Sequence, residues 1–356
     1  MTDLSVLKST IEAIRPASAQ TLQEATAAMA DKLKPLGSLG RLEDVATRIA
    51  SLRGRVDLPD PTAAVVVCAA DHGVASERVS AFPQAVTGLM LTAFGTGGAA
   101  MAVLSRAAGA RLVVADLGVI DPPAVPGLLD RSVRPGTTNS ADGAAMSMAE
   151  ATLALRHGID IAHELIDDGV DLIALGEMGI GNTTTASALT AALLGCDAAA
   201  TCGRGTGLDD AQVAHKISVV DQVLARHAAV FDDPLATLAS VGGLEVAALA
   251  GVVLGAAERR VPVLVDGFIT GAAALVAARL APASTDAMIA AHLSPEPGHA
   301  LQLAALGLRP LLDLEMRLGE GSGAALAINL VRSAVAVLTE MATFASLGLD
   351  QASPVA

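Results

Sequence analysis

Two hydrophobic patterns divide the chain. From the N-terminus to about Ile49, apolar residues recur every three or four positions with Glu, Lys and Arg between them, which is typical of amphipathic helices. The Pro- and Gly-rich segment Lys34–Gly40 interrupts this pattern, so we expect a turn there and a new helix from Arg41. Near the other end, the periodic segment Ala324–Leu347 predicts one or two helices.

Between these helical ends, short apolar runs predict strands that alternate with helices. The runs, in chain order, are Ala63–Ala70, Arg111–Ala115, Val170–Leu175, Val261–Val265 and Ala287–Leu293. Strands separated by helices form βαβ units, so we expect an α/β fold with a mostly parallel sheet covered by helices.

Each of these runs is followed by an acidic residue and a glycine. The segments are Asp71–Gly73, Asp116–Gly118, Gly176–Thr184, Asp266–Phe268 and Ser294–His299. Taken singly, each is well explained as an ordinary turn, because Asp and Gly commonly end strands. Five in succession favour a polar, glycine-floored crevice, since ligands of open parallel sheets bind at the carboxyl ends of the strands.

Composition and charge limit which partners this protein can have. The 356 residues carry 23 Lys and Arg against 37 Asp and Glu, and they include no Trp or Tyr. A net charge of −14 argues against nucleic acid or an anionic membrane as partner, whereas a local nest of amides and one Lys can still bind a small phosphate. The uncharged run Val79–Ser105 is broken by Pro and Gly, and the start of the chain is no signal peptide, so we expect a cytoplasmic protein.

The segment Gly176–Thr185 has the strongest local signal. A predicted strand leads through three glycines into Asn182 and three threonines that open an apolar helix, an arrangement that binds an anion on helix amides. It lacks the Gly-Lys-Ser/Thr of a Walker A loop, and Thr184 replaces the third glycine of the dinucleotide motif. The alternative is a tight turn with a threonine cap.

A second glycine-rich loop, Gly203–Gly207, is followed by Lys216. Glycines let backbone amides approach a phosphate, and a Lys on the next helix can supply a positive charge. The alternative is a surface loop with a solvated Lys.

Glu320 is the candidate general base. Glycines surround it in Leu318–Gly323, and Ser322 is the expected N-cap of the helix that follows. Helix amides that hold the carboxylate ionised make it a competent base at neutral pH, although it could also only complement the helix dipole. The spacing of His and Cys fits no metal hydrolase, and no GxSxG elbow is present.

Motifs in consistent order over nearly the whole chain resemble those of the nicotinate-nucleotide–dimethylbenzimidazole phosphoribosyltransferase family. They are KPLGSLGRLE (34–43), ADHGV (70–74), GEMGIGNTT (176–184), GRGTG (203–207), VGGLE (241–245), DGFI (266–269), SPEPGH (294–299) and RLGEGSGAAL (317–326). The resemblance implies a Rossmann-like core at residues 61–300 and a smaller helical domain from residues 1–60 and 301–356 that carries loop 318–323. It also implies a homodimer that takes nicotinate mononucleotide and a benzimidazole and needs no cofactor or metal.

The resemblance assigns roles to particular residues. Glu320 is expected to be the base, and Glu177 the second carboxylate facing the azole. Ribose phosphate contacts are expected from Gly179, Gly181, Arg204, Gly205 and Lys216, with Ser294 nearby, and Asp266 is expected to bind substrate. Ser80, Phe82 and Met90 are expected around the azole, where Met90 replaces a Gln of the family and Phe82 an aromatic residue that is often Tyr. Both departures bear on which azole is selected.

Two other functions are compatible with the same motifs. A non-catalytic sensor of nicotinate nucleotide would bind the nucleotide and release no nicotinate. A nucleotide N-glycoside hydrolase would release nicotinate with no azole present.

Overall fold

A parallel six-stranded sheet lies at the centre of the computed structural model, which describes residues 2–205 and 207–348. The strands are β1 (Ala63–Ala70), β2 (Arg111–Gly118), β3 (Leu129–Asp130), β4 (Leu172–Met178), β5 (Val263–Val265) and β6 (Met288–Ala290). Their order, β3-β2-β1-β4-β5-β6, is that of the doubly wound Rossmann fold. The predicted parallel α/β sheet is confirmed, and β3 is the strand that the pattern did not predict.

Helices cover both faces of this sheet. Their bounds are α1 Asp3–Ala13, α2 Ala19–Ala30, α3 Arg41–Arg53, α4 Val86–Gly95, α5 Ala100–Ala107, α6 Met148–Asp167, α7 Asn182–Leu194, α8 Ala198–Thr201, α9 Asp210–His227, α10 Pro234–Val241, α11 Leu244–Glu258, α12 Phe268–Leu280, α13 Pro297–Leu306 and α14 Ser322–Glu340. The helix predicted from Arg41 is confirmed as α3. The N-terminal helical stretch has one further break at residues 14–18, where Pro16 lies and Ser18 caps α2.

The two faces of β1 pack into separate hydrophobic clusters. Ala64, Val66 and Cys68 face one cluster with α6, α11 and α12, while Val65 and Val67 face the other with α3 and α14. All eight residues of β1 are buried, as expected for a central parallel strand covered on both sides.

Helices α6 and α11 cross at two glycines. A Cβ at Gly158 would lie 1.8 Å from the carbonyl oxygen of Ala248, and one at Gly251 would lie 2.0 Å from that of Leu155. Only glycine permits this backbone approach, which brings α11 down onto the sheet beside the site described below.

Among the residues that the structure describes, two segments have the length and apolar composition of a membrane span. Residues 86–107 divide into α4 and α5 at a break that contains Gly97 and Gly98, as the glycines of that run predicted. The other segment is α14, whose Val331, Ala334 and Val335 are buried in the hydrophobic core of the globular fold.

Candidate active site

A cavity of about 370 Å³ opens at the carboxyl ends of β4, β5 and β6. Its walls come from the residues that follow these strands, from the segment 82–90 and from the loop that leads into α14. The surface that lines the cavity is mostly apolar, and a few polar groups converge at the floor of the cavity. This is the usual composition of a small-molecule site.

Two carboxylates are fixed at this floor by one loop. The backbone N–H of Glu320 donates to Oε1 of Glu177 at 3.2 Å, and the side-chain amide of Asn182 donates to Oε2. A Cβ on Gly319 would lie 2.4 Å from Glu177 Oε1, so this position requires glycine. Glu177 and Glu320 are 5% and 7% exposed.

Burial sets the protonation of Glu177. It raises the pKa of this carboxyl to about 8, with the charges of Asp266 and Glu245 adding to the effect, whereas the hydrogen bond from Glu320 N–H lowers the pKa. Glu177 is therefore mostly protonated at neutral pH.

The loop at Glu320 has an unusual backbone. Gly319, Glu320 and Gly321 all have positive φ, at +82°, +62° and +91°. A Cβ on Gly176 of β4 would lie 2.2 Å from the carbonyl oxygen of Glu320, so the loop rests directly on the strand. Glu320 Oε2 is buried and has no hydrogen-bond partner within the described chain, which leaves it available to a ligand.

One expectation at this loop is met in part and another is wrong. The carboxylate of Glu320 accepts a hydrogen bond from a helix amide, the N–H of Met101 in the first turn of α5, but burial outweighs it and raises the pKa of this carboxyl. The N-cap of α14 is Gly321, and Ser322 is the first helical residue, with its hydroxyl buried and without a partner in the described structure.

Asp266 and His292 extend the polar floor. Asp266 Oδ1 accepts from the N–H of Ala324 at 2.8 Å and lies 3.7 Å from His292 Nε2. Burial raises the pKa of Asp266, opposed mainly by His292. His292 could not be assigned from the sequence, because it lies within the run 287–293 that was expected to be a strand, whereas β6 ends at Ala290.

The glycine turn after β4 places α7 against the cavity. Gly181, with φ +96°, is the N-cap of α7, and no side chain caps this helix, so the threonine-cap alternative is wrong. A Cβ on Gly179 would lie 2.5 Å from the carbonyl oxygen of Ala70, which shows how closely this turn packs on β1. Gly179, Asn182 and Thr183 line the cavity.

Lys216 lies behind this wall. It is fully buried, and its Nζ donates to Thr183 Oγ1 at 2.9 Å and to the carbonyl oxygen of Gly203 at 3.4 Å. Burial lowers its pKa, partly offset by the charge of Glu296. The alternative of a solvated surface Lys is therefore wrong.

Within the described part of the second glycine loop, which leaves out Thr206, two residues point in different directions. Gly205 lines the cavity, and its N–H donates to Glu296 Oε1 at 2.9 Å. Arg204 is exposed, pairs with Asp210 and donates to the carbonyl oxygen of Leu208, and it lines a neighbouring groove.

An apolar wall adjoins the glycine turn after β4, because the N–H of Ile180 in that turn donates to Thr87 Oγ1 of α4 at 3.2 Å. Phe82, Val86 and Met90 line it, and Phe82 remains 49% exposed. Ser80 is outside the cavity lining, where its hydroxyl accepts from the N–H of Phe82 at 3.2 Å.

The structure thus brings most of the expected residues together in one cavity. Those that line it are Phe82, Met90, Glu177, Gly179, Gly205, Asp266, Ser294 and Glu320, whereas Ser80, Gly181, Arg204 and Lys216 lie behind or beside it. Asn182, Thr183, His292 and Glu296 also line it and were not assigned from the sequence. Asn182, Thr183 and Glu296 lay within recognised motifs, so proximity to those motifs was the signal that could have found them.

A Rossmann-ordered sheet with a glycine turn and buried carboxylates at its carboxyl edge defines a nucleotide-binding α/β enzyme. A family model described as Phosphoribosyltransferase (DBI_PRT) matches residues 14–349. The chain belongs to the nicotinate-nucleotide–dimethylbenzimidazole phosphoribosyltransferase family.

Relatives of that name are similar over almost the full length. The protein from Chloroflexus aggregans is 52% identical over 349 residues, covering 98% of this chain and 99% of its own. The one from Desulforudis audaxviator is 49% identical over 350 residues, again covering 98% and 99%. The crystal structure of CobT from Thermus thermophilus superimposes with a TM-score of 0.90 at 48% identity, covering 94% of this chain and 100% of that one.

Proposed function

We propose that this protein transfers the 5-phosphoribosyl group of nicotinate mononucleotide to 5,6-dimethylbenzimidazole or a related azole. The products are α-ribazole 5′-phosphate and nicotinate, and the step belongs to assembly of the cobalamin nucleotide loop. The observation that carries the proposal is the position of Glu320. Glu320 lines a cavity bordered by the apolar side chains of Phe82, Val86 and Met90 and by the glycine turns, and one oxygen of its carboxylate has no hydrogen-bond partner among the described residues.

The reaction needs one bond formed, one broken and one proton removed. An azole nitrogen attacks C1′ of the ribose while the bond from C1′ to the pyridinium nitrogen breaks, and the electron pair of that bond leaves with nicotinate, whose ring becomes neutral. The azole becomes cationic as it attacks, so its other N–H turns acidic. Glu320 accepts that proton and, as an anion, favours the cation-like transition state.

Proximity supplies much of the remaining rate enhancement. The apolar wall of Phe82, Val86 and Met90 has the chemistry to bind a flat aromatic azole next to the glycine turn that we assign to the nucleotide. Glu177, protonated at neutral pH, does not compete with Glu320 for the azole proton, and its side chain holds the Glu320 backbone in place.

The nucleotide side is assigned to the two glycine turns. We propose that Gly179 and Gly205, which line the cavity, present their backbone to the ribose phosphate, with Asp266 and Ser294 close by and Gly181 behind them at the start of α7. Lys216 supplies positive charge from behind Thr183, and Arg204 belongs to the same loop at the adjoining groove. In this arrangement residues 61–300 bind the nucleotide, and the segment from 301 onward supplies the base; residues 349–356 of that segment lie outside the described residues.

We propose that the protein acts as a cytoplasmic homodimer. Leu89 on α4 is 66% exposed and Val103 on α5 is 48% exposed, and a partner subunit that covered these side chains would bury apolar area. Light scattering at micromolar concentration tests the mass, and a monomer would contradict this part of the proposal.

One chromatographic experiment tests the reaction against its rivals. The protein is incubated with nicotinate mononucleotide, with and without dimethylbenzimidazole, and nicotinate and the ribazole product are quantified. We expect both products only when the azole is present. Nicotinate released without the azole would identify a hydrolase, and binding without any release would identify a sensor.

A further inference from the structure

A buried chain of hydrogen bonds runs behind the cavity. Glu245 Oε1 lies 2.7 Å from His72 Nε2, and His72 Nδ1 lies 2.9 Å from Thr185 Oγ1. The side chains of His72 and Glu245 are completely buried, and Thr185 is 3% exposed. None of these residues lines the cavity, so they have no contact with a substrate there.

The His72 ring fills the space behind the glycine turns. A Cβ on Gly179 would lie 3.1 Å from both Cδ2 and Nε2 of the ring, and one on Gly243 would lie 2.4 Å from Cε1. Gly181 also packs against His72, since its Cβ would lie 3.5 Å from that of the histidine. The ring is therefore wedged against the turn that connects β4 to α7.

The first turn of α7 contacts three parts of the site. Asn182 donates to the carboxylate of Glu177, and Thr183 accepts from Lys216. Thr185, on the same turn, is bonded to His72. A shift of this turn would consequently move both the Glu177 contact and the Lys216 contact.

We infer that Glu245 and His72 are positioning residues, which fix the first turn of α7 through Thr185 and so hold the nucleotide-binding turn in its working geometry. This inference rests on the proposed assignment of the Gly179–Gly181 turn and Lys216 to the ribose phosphate. Because the phosphate is bound about equally before and during the reaction, a shift of the turn that binds it should appear mainly in KM for nicotinate mononucleotide.

The test removes only the Thr185 hydroxyl. Thr185→Val keeps the shape of the side chain, and Thr185→Ser keeps the hydroxyl. The matched control is Thr152→Val, a buried helical threonine of α6 whose hydroxyl donates to the carbonyl oxygen of Met148. We expect Thr185→Val to raise KM for nicotinate mononucleotide about tenfold, equivalent to ~1.4 kcal/mol, while Thr185→Ser and Thr152→Val stay near wild type.

A second pair of variants tests the histidine itself. His72→Phe keeps a ring but breaks both hydrogen bonds, and His163→Phe is its control, because His163 pairs with Glu258 at 2.9 Å away from the cavity. We expect KM to rise in the first variant only. Should His72→Phe fail to fold, the Thr185 series decides alone.

The outcomes separate this inference from the proposed function. Suppose that wild type makes the ribazole product but Thr185→Val loses thermal stability with an unchanged KM. The hydrogen bonds between Glu245, His72 and Thr185 then have a structural role only, and the inference is overturned. If wild type itself makes no product, the proposed function has failed instead.

Discussion

The backbone N–H of Glu320 donates to the side chain of Glu177 across 143 residues of sequence. The two carboxylates that face the cavity are thus joined through the backbone of one and the side chain of the other. Replacing the Glu320 side chain tests its role as the base. Replacing the Glu177 side chain tests the group that accepts the hydrogen bond from the Glu320 backbone.

Replacement of Glu320 by Gln should abolish most turnover. The amide has the same shape but cannot accept the azole proton, so we expect kcat to fall by about 10²–10⁴-fold, the usual contribution of a general base. The rate of nicotinate release in the presence of saturating azole measures kcat. Glu315→Gln, an exposed change on the same segment, is the control, and near wild-type turnover by Glu320→Gln would remove Glu320 from the role of base.

Glu177 should make stability fall as pH rises. Its pKa is about 8 in the folded protein against an ordinary 4.5, so the folded state holds this proton more tightly than the unfolded state between those values. The free energy of unfolding therefore decreases through that window, from no penalty below pH 4.5 to the full penalty above pH 8.

Glu177→Gln removes this titrating group. We expect its curve of unfolding free energy against pH, from urea titrations between about pH 5 and 8, to be flatter than that of wild type. Asp266 and Glu320, whose pKa values are also raised, retain part of the slope. Parallel curves for the two proteins would show that Glu177 does not titrate in this range.

Lys216→Met should weaken nucleotide binding and leave turnover nearly intact. The phosphate carries the same charge before and after transfer, so its attraction to Lys216 is nearly uniform along the reaction and appears in KM. Loss of roughly 1.5–3 kcal/mol of binding free energy corresponds to a rise of about 10–150-fold in KM for nicotinate mononucleotide.

Two measurements control this experiment. Nicotinate riboside, which lacks the phosphate, should react equally poorly with both proteins, and the melting temperature of the ligand-free variant should not fall, because the change removes a buried charge. A drop in kcat at saturating nucleotide would place Lys216 nearer to the reacting carbon.

Activity should survive dialysis against EDTA. Among the residues that the structure describes, no group of three or more His, Cys, Asp and Glu is arranged to hold a metal ion. Activity that disappears and returns with one particular divalent ion would show that a metal participates.

The alternation of apolar runs and helices was sufficient to predict the parallel sheet, because β1, β2 and β4 are long, buried and rich in small or branched residues. The two-residue β3 is too short to produce a pattern. The surroundings of individual side chains were harder to predict from the sequence. Nothing in the sequence around Lys216 indicates complete burial, which arises from packing against Thr183 and Gly203.

The contact between Glu177 and Glu320 could not be predicted from spacing either, since it depends on how α14 approaches β4. The glycines on both sides of Glu320 indicated that the backbone there is special, but not which group it meets. His72 stood in a recognised motif, yet its partners Glu245 and Thr185 come from two other parts of the chain.

The left-handed backbone at Glu320 has a consequence for how this loop evolves. A non-glycine residue at φ +62° costs about 1–2 kcal/mol, which glycine would avoid. Random substitution filtered for folding alone should therefore drift toward glycine at this position and yield a more heat-resistant, inactive protein. Glutamate persists there only while selection acts on the product of the reaction, so its presence in a related chain distinguishes a working enzyme from a merely well-folded descendant.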